Sequence, residues 1–176
     1  MIQLKRQLDE NEIPDQLYGE KRKKRDKDLL FKRRKALQCE KKRARVFIAH
    51  DDSSKIAKGF FQLSLSLEDD SKLKKGDERD LWAGSAHLIY VNWLAVQTQL
   101  QGNKLGTFLL MDALVKAYRA SIYLPILGVG IRPLNERNKI TYSKHGFQIG
   151  IGEEKKEHPL MIMPIWHLHD LFEGGK

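Results

Sequence analysis

The stretch Ala86 to Val96 (AHLIYVNWLAV) constrains the fold more than any other part of the chain, because it is a nearly continuous apolar run of strand-forming residues. A strand with one wet face alternates apolar and polar side chains; a run without alternation belongs to a strand buried on both faces. Such a strand needs cover on each side of its sheet, and the neighbouring sequence provides it. Downstream, Gly106 to Ala120 (GTFLLMDALVKAYRA) reads as a helix with Phe108, Met111, Leu114 and Val115 on one stripe. Pro125 to Ile131 follows as another buried strand, and Asn135 to Lys144 as a short helix stopped by Gly146. Phe147 to Gly152 and Leu160 to Pro164 are further strands, with a last helical turn or two over Ile165 to Phe172. Upstream, Arg45 to His50 (RVFIAH) and Gly59 to Leu67 (GFFQLSLSL) flank the turn cluster DDSSK as an antiparallel hairpin. Glu68 to Asp80 is charged and apolar-poor, a surface loop. From Glu20 to Lys42 there is no Gly or Pro, and Leu29, Leu30, Arg33 and Leu37 fall at near-helical spacing. That segment reads as one long basic helix, preceded by a shorter one ending near Pro14 to Gly19. The order gives an α/β chain built around one mixed sheet.

At 176 residues with 41% apolar content, the chain fills one globular core and not two. Residues 1–176 are therefore expected to form a single domain, with a basic helical part over 1–45 and the core over 86–150. The single cysteine, Cys39, has no internal disulfide partner and no zinc pattern around it, which points to a reducing, cytoplasmic setting. The start MIQLKRQLDENE lacks the apolar centre of a signal peptide, and no apolar run approaches the roughly 18–20 residues a bilayer requires. No membrane partner is expected. The charge is unevenly placed: Met1 to Arg45 holds 16 of the 32 Lys and Arg against 8 of the 23 Asp and Glu, net +8 of the chain's +9. A basic segment on an otherwise balanced domain suits a polyanion, since neutralised phosphates release counterions; it equally suits a solvated helix face.

The most informative piece for chemistry is the strand-loop-helix LAVQTQLQGNKLGTFLL. A strand ending in a glycine-bearing loop that opens into a helix aims backbone N–H groups and the positive end of the helix dipole at one point, which suits a pyrophosphate. GNKLGT is not the loop of nucleotide hydrolases, and no Gly-x-Gly-x-x-Gly of a dinucleotide fold is present. Leu94-Ala95-Val96 followed by Gln101, Gly102 and Gly106 resembles the acetyl-coenzyme A motif of the GNAT superfamily, Arg/Gln-x-x-Gly-x-Gly/Ala. The resemblance implies a GNAT fold with a splayed central sheet. It also implies a cofactor clamp at Leu94, Ala95, Val96, Gln101, Gly102, Asn103, Lys104, Leu105, Gly106 and Thr107. Lys104 stands at the middle glycine position, so it has to keep a glycine-like backbone, or the loop is reshaped; its ammonium is also placed to contact a phosphate.

Asn135-Glu-Arg-Asn-Lys-Ile-Thr-Tyr142-Ser-Lys-His-Gly146-Phe147 is similar to the same family's Asn-x-x-Ala-x-x-Phe-Tyr-x-x-x-Gly-Phe, with Asn138 and Thr141 in place of Ala and Phe. The resemblance implies that Asn135 belongs to the cofactor side and that Tyr142 protonates the departing thiolate. Main-chain donors at the splayed strand then stabilise the carbonyl oxygen, an effect worth about 3–4 kcal/mol per donor in other acyl-transfer enzymes. No general base is identifiable: His87, Asn92, Trp93 and Glu136 stand on the candidate acceptor side without diagnostic spacing. An α-amine has a reference pKa of about 7.7–8.0, and an adjoining ester lowers it further, so much of it is already neutral at cellular pH and a strong base is unnecessary. His167 and His169 lack further nearby ligands for a metal.

Both ends of the chain narrow the resemblance. RVFIAHDDSSKIAKGFFQLSLSLED and HPLMIMPIWHLHDLF resemble the tRNA-acetylating toxins of toxin-antitoxin systems. That implies an aminoacyl-tRNA as acceptor, blocked translation, a ribbon-helix-helix antitoxin as partner, and a homodimer. Lys21, Arg22, Lys23, Lys24, Arg25, Lys32, Arg33, Arg34 and Lys35 would then hold the tRNA backbone by phosphate contacts, which position without reading sequence. Two other readings remain open: a GNAT enzyme acting on a protein or small amine, and a non-enzymatic nucleic-acid-binding protein on the same fold.

Overall fold

The computed structural model describes residues 2–6, 44–51, 56–69, 71 and 85–174. The basic helix expected over 20–42, the shorter helix before it and most of the loop expected over 68–80 lie outside the described residues. The chain divides into two compact units, one from Met1–Ser64 with Asn92–Ala113 and one from Leu65–Val91 with Leu114–Lys176. Strand β4 (Ser85–Val96) and helix α1 (Leu105–Ser121) each run through both.

In the first unit, β1 (Ile2–Arg6) pairs antiparallel with β2 (Ala44–Asp51), from Ile2↔Asp51 to Arg6↔Phe47. A strand over Ile2–Arg6 was not among the elements expected from the sequence. In IQLKR, Ile2 and Leu4 alternate with Gln3 and Lys5, which is the period of a strand, and β2 offers that strand an edge. The hairpin of β2 with β3 (Gly59–Asp69) forms as expected, in register from Ala44↔Ser64 to Ala49↔Gly59, and the rings of Phe47 and Phe61 stack across it at 4.9 Å. A Cβ on Gly59 would lie 2.8 Å from Leu109 Cδ1 and 2.9 Å from the Ala95 carbonyl oxygen. Glycine at that point therefore lets α1 and the end of β4 close on β3. Ile48, Ala57 and Phe60 form a buried cluster there, with Val46, Trp93 and Ala95 packed against it.

In the second unit β4 pairs parallel with β5 (Gly128–Ile131), from Leu88↔Gly128 to Val91↔Ile131. β5 pairs antiparallel with β7 (Met161–Pro164), and β7 with β6 (Gln148–Ile149), so the sheet is mixed. Helix α3 (Ile165–Glu173) lies against β5 and β7. Leu88, Leu127, Leu160 and Ile162 make a second cluster, with Tyr90 packed on it. The strands expected over Pro125 to Ile131 and Phe147 to Gly152 are shorter than anticipated. In the latter, Gly150 and Gly152 (φ 76°) bend the chain into turns around Glu153.

The stripe expected on α1 is also corrected. Phe108 is 44% exposed, and the buried face consists of Leu109, Leu110, Ala113, Leu114 and Ala117. Apolar residues occur all round this helix, so spacing among the large ones does not single out a face; the small alanines that allow close packing mark it instead. No described helix is long and apolar enough to cross a membrane.

Candidate active site

Strand β4 changes character along its length. Leu88, Ile89 and Val91 are buried, whereas Asn92 to Val96 are all half-buried. The expectation of burial on both faces thus holds around Leu88, Ile89 and Val91 and not for the rest of the described run. The change falls where the ladder to β5 stops, at Val91↔Ile131, while β4 runs on to Val96. The edge of Asn92–Val96 beyond that ladder is the kind of main-chain surface to which an extended amide-bearing ligand adds as a further strand.

The loop after β4 is held at both ends. Gln97 N donates to the Lys58 carbonyl at 2.9 Å, and Gln101 Nε2 donates back to the Val96 carbonyl at 3.3 Å, so Gln101 braces the loop on the strand it leaves. One 3₁₀ turn covers Thr98–Leu100. Gly102 follows at φ 88°, and Lys104 at φ 60° is the one non-glycine residue among those described with a positive φ. Lys104 therefore keeps the glycine-like backbone that its position in the motif demands, at a cost of about 1 kcal/mol. Phe108 N donates to the Lys104 carbonyl at 3.0 Å, which makes Lys104 the residue that opens α1. The amides of Leu105, Gly106 and Thr107 then have no acceptor within their own helix. With the exposed Gln101, Gly102, Asn103 and Lys104 before them, they form an amide-lined, cation-bearing start of a helix, and this donor set fits a diphosphate. Gly106 leaves room beside Val96, whose Cγ2 would be 3.7 Å from an added Cβ.

In the second unit, helix α2 (Glu136–Lys144) starts where the motif places it. Asn135 is its N-cap: Asn135 Oδ1 accepts from Asn138 N at 2.9 Å, so that oxygen is engaged in starting the helix. Tyr142 is buried (8% exposed) beside Phe147, ring centroids 6.0 Å apart, and its hydroxyl has no hydrogen-bond partner among the described residues. Burial alone pushes its phenol up to about 12, so it keeps its proton across the physiological range.

A cluster that the sequence did not reveal lies in the same unit. Glu153, 1% exposed, accepts from Arg132 Nη1 at 2.8 Å, Lys156 Nζ at 2.6 Å and Leu160 N at 3.0 Å. Burial pushes its pKa up, but the hydrogen bonds from Lys156, Leu160 and Arg132 outweigh that and hold the carboxyl down to about 2. Arg132 also donates to the His158 carbonyl at 2.9 Å. Desolvation pushes Tyr90 up to about 12, with Arg132 acting in the opposite direction. Arg132 and the segment from Glu153 to Leu160 are separate stretches of chain, and no local motif marks them.

The four candidates for the acceptor side separate. Trp93 packs into the Ile48–Ala57–Phe60 cluster, a core role. Asn92 Nδ2 donates to Ser64 Oγ at 2.7 Å. His87 is exposed. Glu136 is exposed and meets Lys139 at 3.3 Å, a surface pair of small energetic weight. His169 lies 3.2 Å from Glu173 and edge-on to Tyr118. The nine basic residues from Lys21 to Lys35 lie outside the described residues.

No protein-family model matches the chain. Solved structures do. AtaT complexed with acetyl-methionyl-tRNAfMet superposes with a TM-score of 0.77 at 19% identity, over 98% of this chain and 99% of that one. A Tyr-to-Phe variant of KacT gives 0.76 at 19% identity, over 97% and 99%. A Tyr-to-Phe variant of the AtaT toxin, bound to the C-terminus of the antitoxin AtaR and acetyl-CoA, gives 0.67 at 19% identity, over 98% and 99%. The chain has the fold of these proteins, a mixed sheet flanked by helices. At such identities the likeness is one of fold, and it extends over nearly the whole of each chain.

Proposed function

We infer that the chain is an acetyl-coenzyme A-dependent N-acetyltransferase whose acceptor is the α-amine of an aminoacyl-tRNA. The observation that carries the enzyme reading is Lys104. A non-glycine residue held at φ 60° in the loop between a strand that outruns its partner and an uncapped run of helix amides is strain kept for a ligand. Acetyl-coenzyme A supplies an activated acetyl group. The chain's own contribution is to hold and orient it: the open edge of Asn92–Val96 pairs with the pantetheine amides, and the amides of Leu105 to Thr107 take the diphosphate, assisted by the Lys104 ammonium.

Tyr142 holds a proton at its hydroxyl for the departing sulfur. A phenol near 12 is a weaker acid than a thiol in water, at about 8.5. Tyr142 therefore acts first as a hydrogen-bond donor to the sulfur, and transfers its proton fully only while that sulfur is screened from water, where the thiolate's proton affinity rises. The amine loses its own proton to solvent, and the phenol regains one from the same source.

The acceptor reading rests on the tRNA-bound fold neighbour and on the net +8 of residues 1–45. We assign Lys21 to Arg25 and Lys32 to Lys35 to the tRNA backbone. A ribbon-helix-helix antitoxin is the proposed partner, in line with the antitoxin-bound neighbour. Two copies of the chain are proposed to associate, and the cytoplasm is the setting in which charged tRNA is met. The decisive experiment incubates the protein with acetyl-coenzyme A and bulk aminoacyl-tRNA and reads the aminoacyl end by mass spectrometry. One added acetyl group per acceptor is expected. Acetyl-coenzyme A binding without tRNA acetylation would move the acceptor to a protein or small amine; absent binding by calorimetry would end the enzyme reading.

A further inference from the structure

Helix α2 is held chiefly by its ends. Tyr142 is its one buried residue, while Glu136, Arg137, Ile140, Ser143 and Lys144 are exposed. A helix is ordinarily fixed by the apolar face it packs, and here that face shrinks to the side chain whose placement matters. The far end is secured just past the helix, where Phe147 is buried and its amide donates to the Tyr142 carbonyl at 3.2 Å. The near end is joined to β5 by Arg132, Pro133, Leu134 and Asn135 alone, and this connection is tethered to the segment between β6 and β7. Arg132 Nη1 donates to the His158 carbonyl at 2.9 Å, and His158 Nδ1 lies 3.1 Å from the Pro133 carbonyl. A carbonyl oxygen accepts, so Nδ1 carries the proton; His158 takes a hydrogen bond from one residue of the connection and gives one to the next. The tether is rooted in the sheet, because Glu153 Oε2 accepts from Arg132 Nη1 at 2.8 Å and from Leu160 N at 3.0 Å, one residue before β7. Each of these residues belongs, with Tyr142, to the second unit.

We propose that His158, bonded to Arg132 and Pro133, is a positioning residue that fixes the entry of α2 and through it the place of the Tyr142 hydroxyl. The proposal rests on the acetyltransferase reading, in which that hydroxyl serves the departing sulfur. Tyr142 lies well along the helix from its first residue, Glu136, at about 9 Å for a rise of 1.5 Å per residue. A tilt of roughly 10° at the entry therefore moves the phenol by more than about 1 Å. Misplacement on that scale costs a reacting group up to about 100-fold in rate. The bond from His158 Nδ1 is the part of the tether that can be tested cleanly. Removing it leaves Glu153 with all three of its donors, so the buried carboxylate stays paired.

His158→Leu removes the donor, and His158→Asn restores one, because the asparagine amide nitrogen stands where Nδ1 stood. His158→Leu is expected to lower kcat about 10-fold, with acceptor KM and the acetyl-coenzyme A Kd by calorimetry each within about twofold. His158→Asn is expected to recover kcat to within about threefold of the wild type. The sharper test repeats His158→Leu in a Tyr142→Phe background. With the hydroxyl already gone, the second substitution should cost less than about twofold, since both act through one atom. A full 10-fold further loss in that background overturns the proposal, because the tether would then serve something other than the phenol. Unchanged kcat in His158→Leu overturns it too, as does a loss that His158→Asn fails to recover. These outcomes are read on a wild type that transfers acetyl. Wild-type protein that transfers none to any amine offered, bulk aminoacyl-tRNA first among them, overturns the acetyltransferase reading and this proposal together.

Discussion

The proposed cofactor clamp and the Glu153 cluster are built in contrary ways. Around Leu94–Thr107 the main chain supplies the interactions: a strand edge beyond its ladder, amides at the start of α1, and side chains that are mostly plain or exposed. Around Glu153 a buried side chain is the centre: a carboxylate at 1% exposure joined to two cations and the Leu160 amide by bonds of 2.6 to 3.0 Å. The first arrangement is local in sequence and tolerates change in most side chains, since an amide is common to every residue but proline. The second depends on each partner, because removing one leaves a buried polar group unpaired. The contrast predicts that substitutions act on turnover through single functional atoms in the motif-built parts, and on acid stability in the side-chain network.

The largest effect is expected at Tyr142. Replacing it by Phe should lower kcat about 10²–10³-fold, the usual range for losing a positioned proton donor, while acetyl-coenzyme A affinity stays within about twofold. Pre-steady-state transfer measured beside calorimetry checks both. Because burial raises this phenol to about 12, its ionisation is suppressed below that value, and the rate should show no alkaline fall from Tyr142 between pH 8 and about 11. An equal loss of binding and turnover would break the contrast, since Tyr142 would then be part of the packing and not of the chemistry.

That motif is also where the sequence was most legible. The loop and α2 were placed correctly because each is a short contiguous pattern, down to the positive φ required of Lys104. The hairpin and β4 were visible from periodicity and apolar runs. What failed did so for identifiable reasons. β1 was hidden by the charge that follows it, and the stripe on α1 was misjudged because alanines carry little hydrophobic weight but decide close packing. Trp93 looked like an acceptor-side residue, yet alternation along β4 turns it into the Ile48–Ala57–Phe60 cluster. Arg132 reaches Glu153 across 21 residues of chain, and nothing in GIGEEKKEHPL shows that the first of its glutamates is the buried one.

The next effect in size belongs to Glu153. Its carboxyl is held at about 2 against an ordinary value of 4.5, so the unfolded chain takes up its proton first as the pH falls. The stability it contributes is complete above about 4.5 and is lost on going down through about 2. The full amount is on the order of 3 kcal/mol, judged from the shift. Urea unfolding at pH 6 and pH 3 should show a drop that Glu153→Gln shares only in part, because the amide starts from the weakened state. An identical pH dependence in the variant would mean that Arg132 and Lys156 do not stabilise the charged form.

The smallest effect separates two roles of one residue. Lys104 is strained at φ 60° and carries an ammonium at the start of α1. Lys104→Gly removes both features at once. Relief of the left-handed backbone should stabilise the fold by about 0.5–1 kcal/mol, raising Tm by roughly 1–4 °C. Loss of the cation should weaken acetyl-coenzyme A about two- to fivefold at low ionic strength, a difference that shrinks as salt screens an exposed charge. The two readouts move in opposite directions, so a single Tm and a pair of binding isotherms at low and high salt tell them apart. A higher Tm with unchanged affinity would leave recognition of the diphosphate to the main chain alone. A salt-sensitive loss of affinity would make Lys104 the exception in a region otherwise built from amides, and would explain why a residue with a Cβ is kept where glycine is easier.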